Sequence, residues 1–148
     1  PVPSVMFPML VKNITKGEKF HHLFSFALLI VASISGIVTL FYFLFPRVVI
    51  TVFLGGGQYL SAIAYVGLFG LFATIFSLLY VCVNLFLSLK KTEIAFPLVG
   101  GAVLQAMGIW FFHTNFFEII SISIVITLVL TITLLLYYAK EYGAFKKT

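Results

Sequence analysis

Residues 119–139 read IISISIVITLVLTITLLLYYA, a stretch without a single Asp, Glu, Lys or Arg. A bilayer hydrocarbon core is about 30 Å thick, and a helix crosses it with about 20 apolar residues. This stretch meets that length. Working outward from it, three more uncharged runs appear at 20–46, 48–89 and 94–117. They are closed off by short charged breaks at 12–19, Arg47, 90–93, Glu118 and 140–147. The sequence therefore predicts an all-α, polytopic membrane helical bundle.

Composition leads to the same class by a separate route. The chain is 62% hydrophobic and only 9% charged, where soluble domains carry roughly 25% charged residues. Phe alone supplies 18 of the 148 residues, and the mean hydropathy is +1.20. A water-soluble fold of this size has too little interior to hide that much apolar surface. A secretory signal peptide is a poor explanation, because it has one apolar core of about 7–15 residues.

The second run, at 48–89, exceeds one crossing. Gly55, Gly56 and Gly57 with Gln58 interrupt it, and consecutive glycines are poor helix interior. Residues 48–54 read as a short surface element, too short to span. The expected spans are 20–45, 60–89, 94–112 and 116–138. With one span per run, Lys12, Lys16, Lys19, Lys90, Lys91, Lys140, Lys146 and Lys147 fall on one side, and Arg47 alone on the other. Short cytoplasmic loops carry the Lys/Arg excess, so both ends of the segment are expected in the cytoplasm. The net charge of +5 then reports topology and contact with anionic membrane lipids, not nucleic acid. Trp110, Phe111, Phe112 and His113, and at the other side Tyr137 and Tyr138, read as interface anchors. Residues 1–11 are apolar and stop at Lys12. They read as the end of a fifth, preceding span, which makes residues 1–148 a single transmembrane domain that is the C-terminal fragment of a larger protein.

No charge lies at membrane depth, so the coupling carboxylates and proton relays that mark ion-driven sites are missing from these spans. Small and polar residues are instead laid out in stripes. Gly67, Gly70, Thr74, Ser77, Val81, Asn84 and Ser88 follow steps of three and four, and so share one helical face. Pro97, Gly101, Gln105, Gly108 and Phe112 form a second stripe, Ser123, Thr127 and Thr131 a third, and Ala32, Gly36 and Thr39 a fourth. Small residues let helix backbones approach, and hydroxyls and amides bond across helices. Packing is thus the first reading of these faces. For Asn84 and Gln105 a place beside a water-filled pathway stands level with packing, since an amide in lipid is costly without a partner. Pro97 sits in the first turn of its span, where a missing N–H costs little.

Enzyme chemistry finds no footing. His21, His22 and Glu18 read as solvated groups and not a metal site, and His113 with Glu118 lacks a third catalytic partner. Cys82 stands alone, so it forms no disulfide within the chain and packs as a small hydrophobe. No phosphate-binding Gly-rich loop or paired carboxylate is present, and no cofactor is expected.

Several short segments together resemble a known family. Val5, Met6, Phe7 and Pro8 followed by Lys16, Gly17, Glu18 and Lys19 resemble the lipid-facing span and basic linker of polysaccharide flippases. Residues 46–55, PRVVITVFLG, with Tyr59 beyond them, resemble a surface segment of those proteins. Leu89, Lys90, Lys91 and Thr92, then Pro97, resemble the inner loop that opens their following span. The run of Gly55, Gly56, Gly57 and Gln58 departs from the family pattern, which places acidic or polar neighbours beside a Gly. The likeness covers nearly the whole chain and matches the C-terminal part of an oligosaccharide-lipid flippase of the multidrug/oligosaccharidyl-lipid/polysaccharide exporter superfamily. It implies a bacterial inner-membrane protein of two lobes, the N-terminal lobe lying outside this sequence. The implied cargo is an undecaprenyl-diphosphate-linked sugar, moved by alternating access with no bond made or broken. In this segment Arg47, Asn84 and Gln105 are the residues left to meet it. A drug or cation exporter of the same superfamily would share the architecture, and a small structural membrane subunit is the reading outside transport.

Overall fold

The computed structural model describes residues 20–55 and 57–143. The expected preceding span at 1–11 and the Glu18 member of the histidine group lie outside them. Among the described residues, five α-helices follow one another: α1 (Phe20–Leu44), α2 (Pro46–Leu54), α3 (Ile63–Ser88), α4 (Ala95–Phe111) and α5 (Phe116–Gly143). Tight 3-10 turns at Gly57–Ala62 and Thr92–Ile94 lead into α3 and α4. Among the described residues, four helical stretches are long and apolar enough to cross a membrane: Phe24–Leu44, Ile63–Ser88, Thr92–Phe111 and Phe116–Glu141. The chain is an all-α, multi-pass membrane protein.

Local chemistry explains the breaks. α2 begins with Pro46 in its first turn, where a proline's missing N–H costs nothing, and ends at Gly55 with φ +80°. A residue with a Cβ is strained at that angle, so the glycine ends the helix cleanly. α3 closes differently. Lys90 N–H donates to Leu87 O and Lys91 N–H to Phe86 O, both at 3.0 Å, with Lys90 in the left-handed region at φ 57°. This is the hydrogen-bond pattern of a Schellman cap, with lysine where glycine is usual.

Among the described residues the helices form a row. α3 has α1 on one side and α5 on the other, and α4 lies against the far side of α5. At the lysine-rich end the row is tightly closed. Phe24 and Ala27 of α1, Leu79, Val81, Cys82, Leu85 and Phe86 of α3, Ile94, and Leu134 of α5 form one buried cluster. Tyr137 packs on Phe86 with ring centroids 5.4 Å apart, and Tyr138 on Phe24 at 4.7 Å. Both tyrosines thus join this cluster as well as marking the helix end. Lys91 pairs with Glu141, and the Tyr137 hydroxyl donates to Glu93 Oε2 at 3.3 Å. These two contacts tie the α3–α4 turn to the end of α5.

The packing between α4 and α5 follows from small residues. A Cβ on Gly101 would fall 2.5 Å from Leu130 Cδ1, and one on Gly108 would fall 3.0 Å from Ile122 Cγ2. Thr127 and Thr131 of α5 are buried, as is Ser123. The stripe on α1 is rotated from its expected position. Ala32 is exposed and Gly36 has open space beside it, while Ser35, Thr39 and Tyr42 face α3. Both sets keep helical spacing; what decides between them is the hydroxyl that reaches across.

Candidate functional site

The contact between α1 and α3 is built from glycines and hydroxyls. A Cβ on Gly67 would collide with the Phe43 ring at 2.5 Å, and one on Gly70 would lie 3.0 Å from Tyr42 Cδ2 and 3.4 Å from Thr39 Cα. The two backbones approach because these Cβ atoms are absent. The approach brings Thr39 Oγ1 within 2.8 Å of Gly70 O and 2.6 Å of Thr74 Oγ1, and Thr74 Oγ1 within 3.0 Å of Ser35 O. Each threonine has one hydroxyl hydrogen. Two hydrogens thus serve three contacts, and the pair relays either toward Ser35 O or toward Gly70 O.

Beside this relay, the seam between α1 and α3 is indented. A laterally open groove of about 350 Å³ lies between them, lined by Ile34, Ser35, Thr39, Tyr42, Thr74 and Ser77 among others. Its wall is mostly apolar, with the hydroxyls forming one polar strip. Ser77 donates to Ala73 O in its own helix at 2.8 Å. Two turns further toward the lysine-rich end, on the same flank of α3, stands Asn84. Its Nδ2 donates to Tyr80 O at 2.7 Å, again within the helix. Among the described residues Asn84 has no partner on another helix, so its amide oxygen is left to solvent or to a bound group. Ser88 continues the strip and is buried, donating to Asn84 O at 2.7 Å.

Gln105 occupies a different setting. Its Nε2 donates to Ser123 Oγ at 3.0 Å across the α4–α5 contact. Ser123 in turn donates to Ile119 O at 2.9 Å. That arrangement makes Gln105 a helix-joining residue. Arg47 sits exposed in the first turn of α2, at the opposite end from the lysines. The three expected cargo residues are therefore not brought together. Asn84 lies on the α1 side of α3, Gln105 on the far side of α5, and Arg47 at the bundle end. His113 Nδ1 contacts Trp110 O at 2.8 Å, and no group of three His, Cys, Asp or Glu side chains able to hold a metal occurs among the described residues.

A second cavity, of about 410 Å³, lies under α2. Tyr42, Val49, Ile50, Phe53, Tyr65, Val66 and Ile120 are among its walls. Ser35, Tyr42 and Tyr65 lie outside the stripes expected from the sequence. For Ser35 and Tyr42 a signal existed, since residues 35, 39 and 42 follow the steps of four and three that define a face. Tyr65 had none, because it lines a space made by α2 folding over α3.

No protein-family model, curated protein or solved structure matches this chain. Sequence and fold define its class as a multi-pass α-helical membrane protein. Its flank carries an open groove edged with hydroxyls, and the Asn84 amide stands two turns of α3 beyond the last of them.

Proposed function

We propose that these helices are the C-terminal portion of a transporter that flips a lipid-linked oligosaccharide, of the undecaprenyl-diphosphate type, across a bacterial inner membrane for surface polysaccharide synthesis. Two things support this reading: the resemblance of the sequence segments at 5–19, 46–59 and 89–97, and the form of the α1–α3 flank. The observation that carries it is Asn84. An amide at membrane depth is costly without partners and should face protein or water. Asn84 bonds only within its own helix and continues a strip of hydroxyls that runs out of an open groove. A polar sugar head passing beside α3 would meet that strip while its lipid tail stayed in the bilayer. The step is physical translocation, so no group here acts as acid, base or nucleophile. The lysine-rich end is assigned to the cytoplasm by the positive-inside rule.

The test is Asn84→Leu in the full-length protein, read as transport of the lipid-linked sugar against protein abundance. The expected result is a loss of transport at near-normal abundance. Equal loss of both would remove the pathway role and leave packing.

A further inference from the structure

We infer that the recess beneath α2 is a binding site for one anionic membrane phospholipid, its acyl chain in the recess and its phosphate on Arg47. The site is independent of the transport reading. Three observations converge on this occupant.

The first is the shape and lining of the space. The recess is walled by Val49, Ile50, Phe53, Val66, Phe69 and Ile120, all apolar, with a volume of about 410 Å³. It lies beside helices that cross the bilayer, so what reaches it laterally is lipid. Exposed rings stand at this end of the bundle on several helices: Phe45, Phe53, Tyr59, Trp110, Phe111, Phe112 and Phe116. Tyr59 and Trp110 among them are the amphipathic rings that mark the level where acyl chains meet head groups.

The second is a pair of idle donors. Tyr42 and Tyr65 both line the recess, and neither hydroxyl has a hydrogen-bond partner among the described residues. A phenol donates as well as accepts. The ester carbonyls of a phospholipid are acceptors without donors, and they sit between chain and phosphate. The fit is complementary in kind.

The third is charge. Arg47 is exposed and three residues before Ile50 on the same helix, which makes the two neighbours on the helix surface. It is the one Lys or Arg side chain among the described residues at this end of the bundle. A guanidinium binds phosphate oxygens in a forked geometry. One cation suits a head group with one phosphate charge, and a diphosphate would call for more.

Chain burial alone gives no preference, because lipid tails are as apolar as the recess. Selectivity must then come from Arg47. A basic residue near an anionic surface is worth enough to shift occupancy about fivefold. The test uses the full-length protein, purified in mild detergent with equal phosphatidylglycerol and phosphatidylethanolamine, and reads retained lipid by native mass spectrometry. The expected result is about fivefold enrichment of phosphatidylglycerol. Arg47→Gln should abolish the enrichment while lipid is still retained, and Arg47→Lys should restore part of it. Val66→Trp, which fills the recess, should remove the retained lipid in protein that still elutes as a folded species. Equal retention of the two lipids by the unaltered protein would overturn the site. So would an enrichment unchanged in Arg47→Gln, which would place it at the lysine-rich end. Preferential retention of a diphosphate-bearing lipid, when one is added, would overturn it in favour of cargo.

Discussion

Thr39 and Thr74 touch, and residues in contact ordinarily show interaction energies of about 0.5–3 kcal/mol in a double-mutant cycle. Here the coupling should be close to zero. The hydroxyl oxygens are 2.6 Å apart, and each also has a carbonyl of its own within reach: Gly70 O for Thr39 and Ser35 O for Thr74. Replacing either threonine by valine keeps the branched shape and removes one hydroxyl hydrogen. The survivor then donates to its own carbonyl. The number of donated bonds equals the number of hydrogens in every member of the cycle: two, one, one and none. Interhelical polar contacts in membranes are worth about 0.6 kcal/mol on average, with a maximum of about 1.7. Each single variant should therefore lose about 0.6 kcal/mol and the double variant about twice that. Cooperative strengthening of the relay, at about 10–30% per bond, adds no more than about 0.3 kcal/mol of coupling. The assay is reversible unfolding in mixed micelles, comparing all four proteins under one condition. A coupling above about 1 kcal/mol would refute the reasoning, because it would mean that a lone hydroxyl finds no acceptor. Losses near zero in both single variants would show that the relay does not hold α1 to α3.

Two further outcomes follow from the same geometry. Gly101→Ala should cost about 1–3 kcal/mol in the same assay, since the added Cβ falls 2.5 Å from Leu130 Cδ1, and Leu130→Ala should recover part of it. Gly100→Ala, one residue away with open space around it, should be neutral or stabilising by up to about 1 kcal/mol. For orientation, a cysteine placed at Asn115, with every native cysteine including Cys82 replaced by serine, should react with a membrane-impermeant maleimide on intact cells, and one at Lys91 only after permeabilisation. The reverse pattern would invert the assigned topology.

The spans were legible because membrane insertion is decided by composition over about 20 residues, which a sequence displays directly. The short element at 48–54 was legible as well, and it extends to Pro46 because a proline fits the first helical turn. The expected start of the next span at 60 is instead part of a tight turn, which delays α3 to Ile63. What the sequence did not reveal was which stripe meets which. Gly101 and Leu130 are partners, as are Gly70 and Tyr42, yet nothing in one helix's periodicity names its neighbour. The α1 face shows why. Ala32, Gly36 and Thr39 make as regular a stripe as Ser35, Thr39 and Tyr42, and only the hydroxyl reach to Thr74 and Gly70 selects the second. The candidate site was half legible for the same reason. Asn84 and Gln105 were indistinguishable as amides in apolar helices, and the contact with Ser123 separates them.

The order of helices in the row differs from their order in the chain, and this bears on how the protein is made. α1 and α3 are neighbours and emerge from the ribosome one after the other, with only α2 between them, so they dock as soon as both are inserted. α4 emerges next, but its neighbour is α5, which does not yet exist. Until then Gly101 and Gly108 face lipid, and the Gln105 amide lacks the Ser123 hydroxyl. The cheap course is for α4 to wait at the insertion machinery until the four-residue turn 112–115 and α5 have been synthesised, then enter with α5 as a hairpin. On entry α5 takes the place beside α3, and α4 is carried to the edge of the row. Biogenesis of the third span is in this way subordinate to that of the fourth.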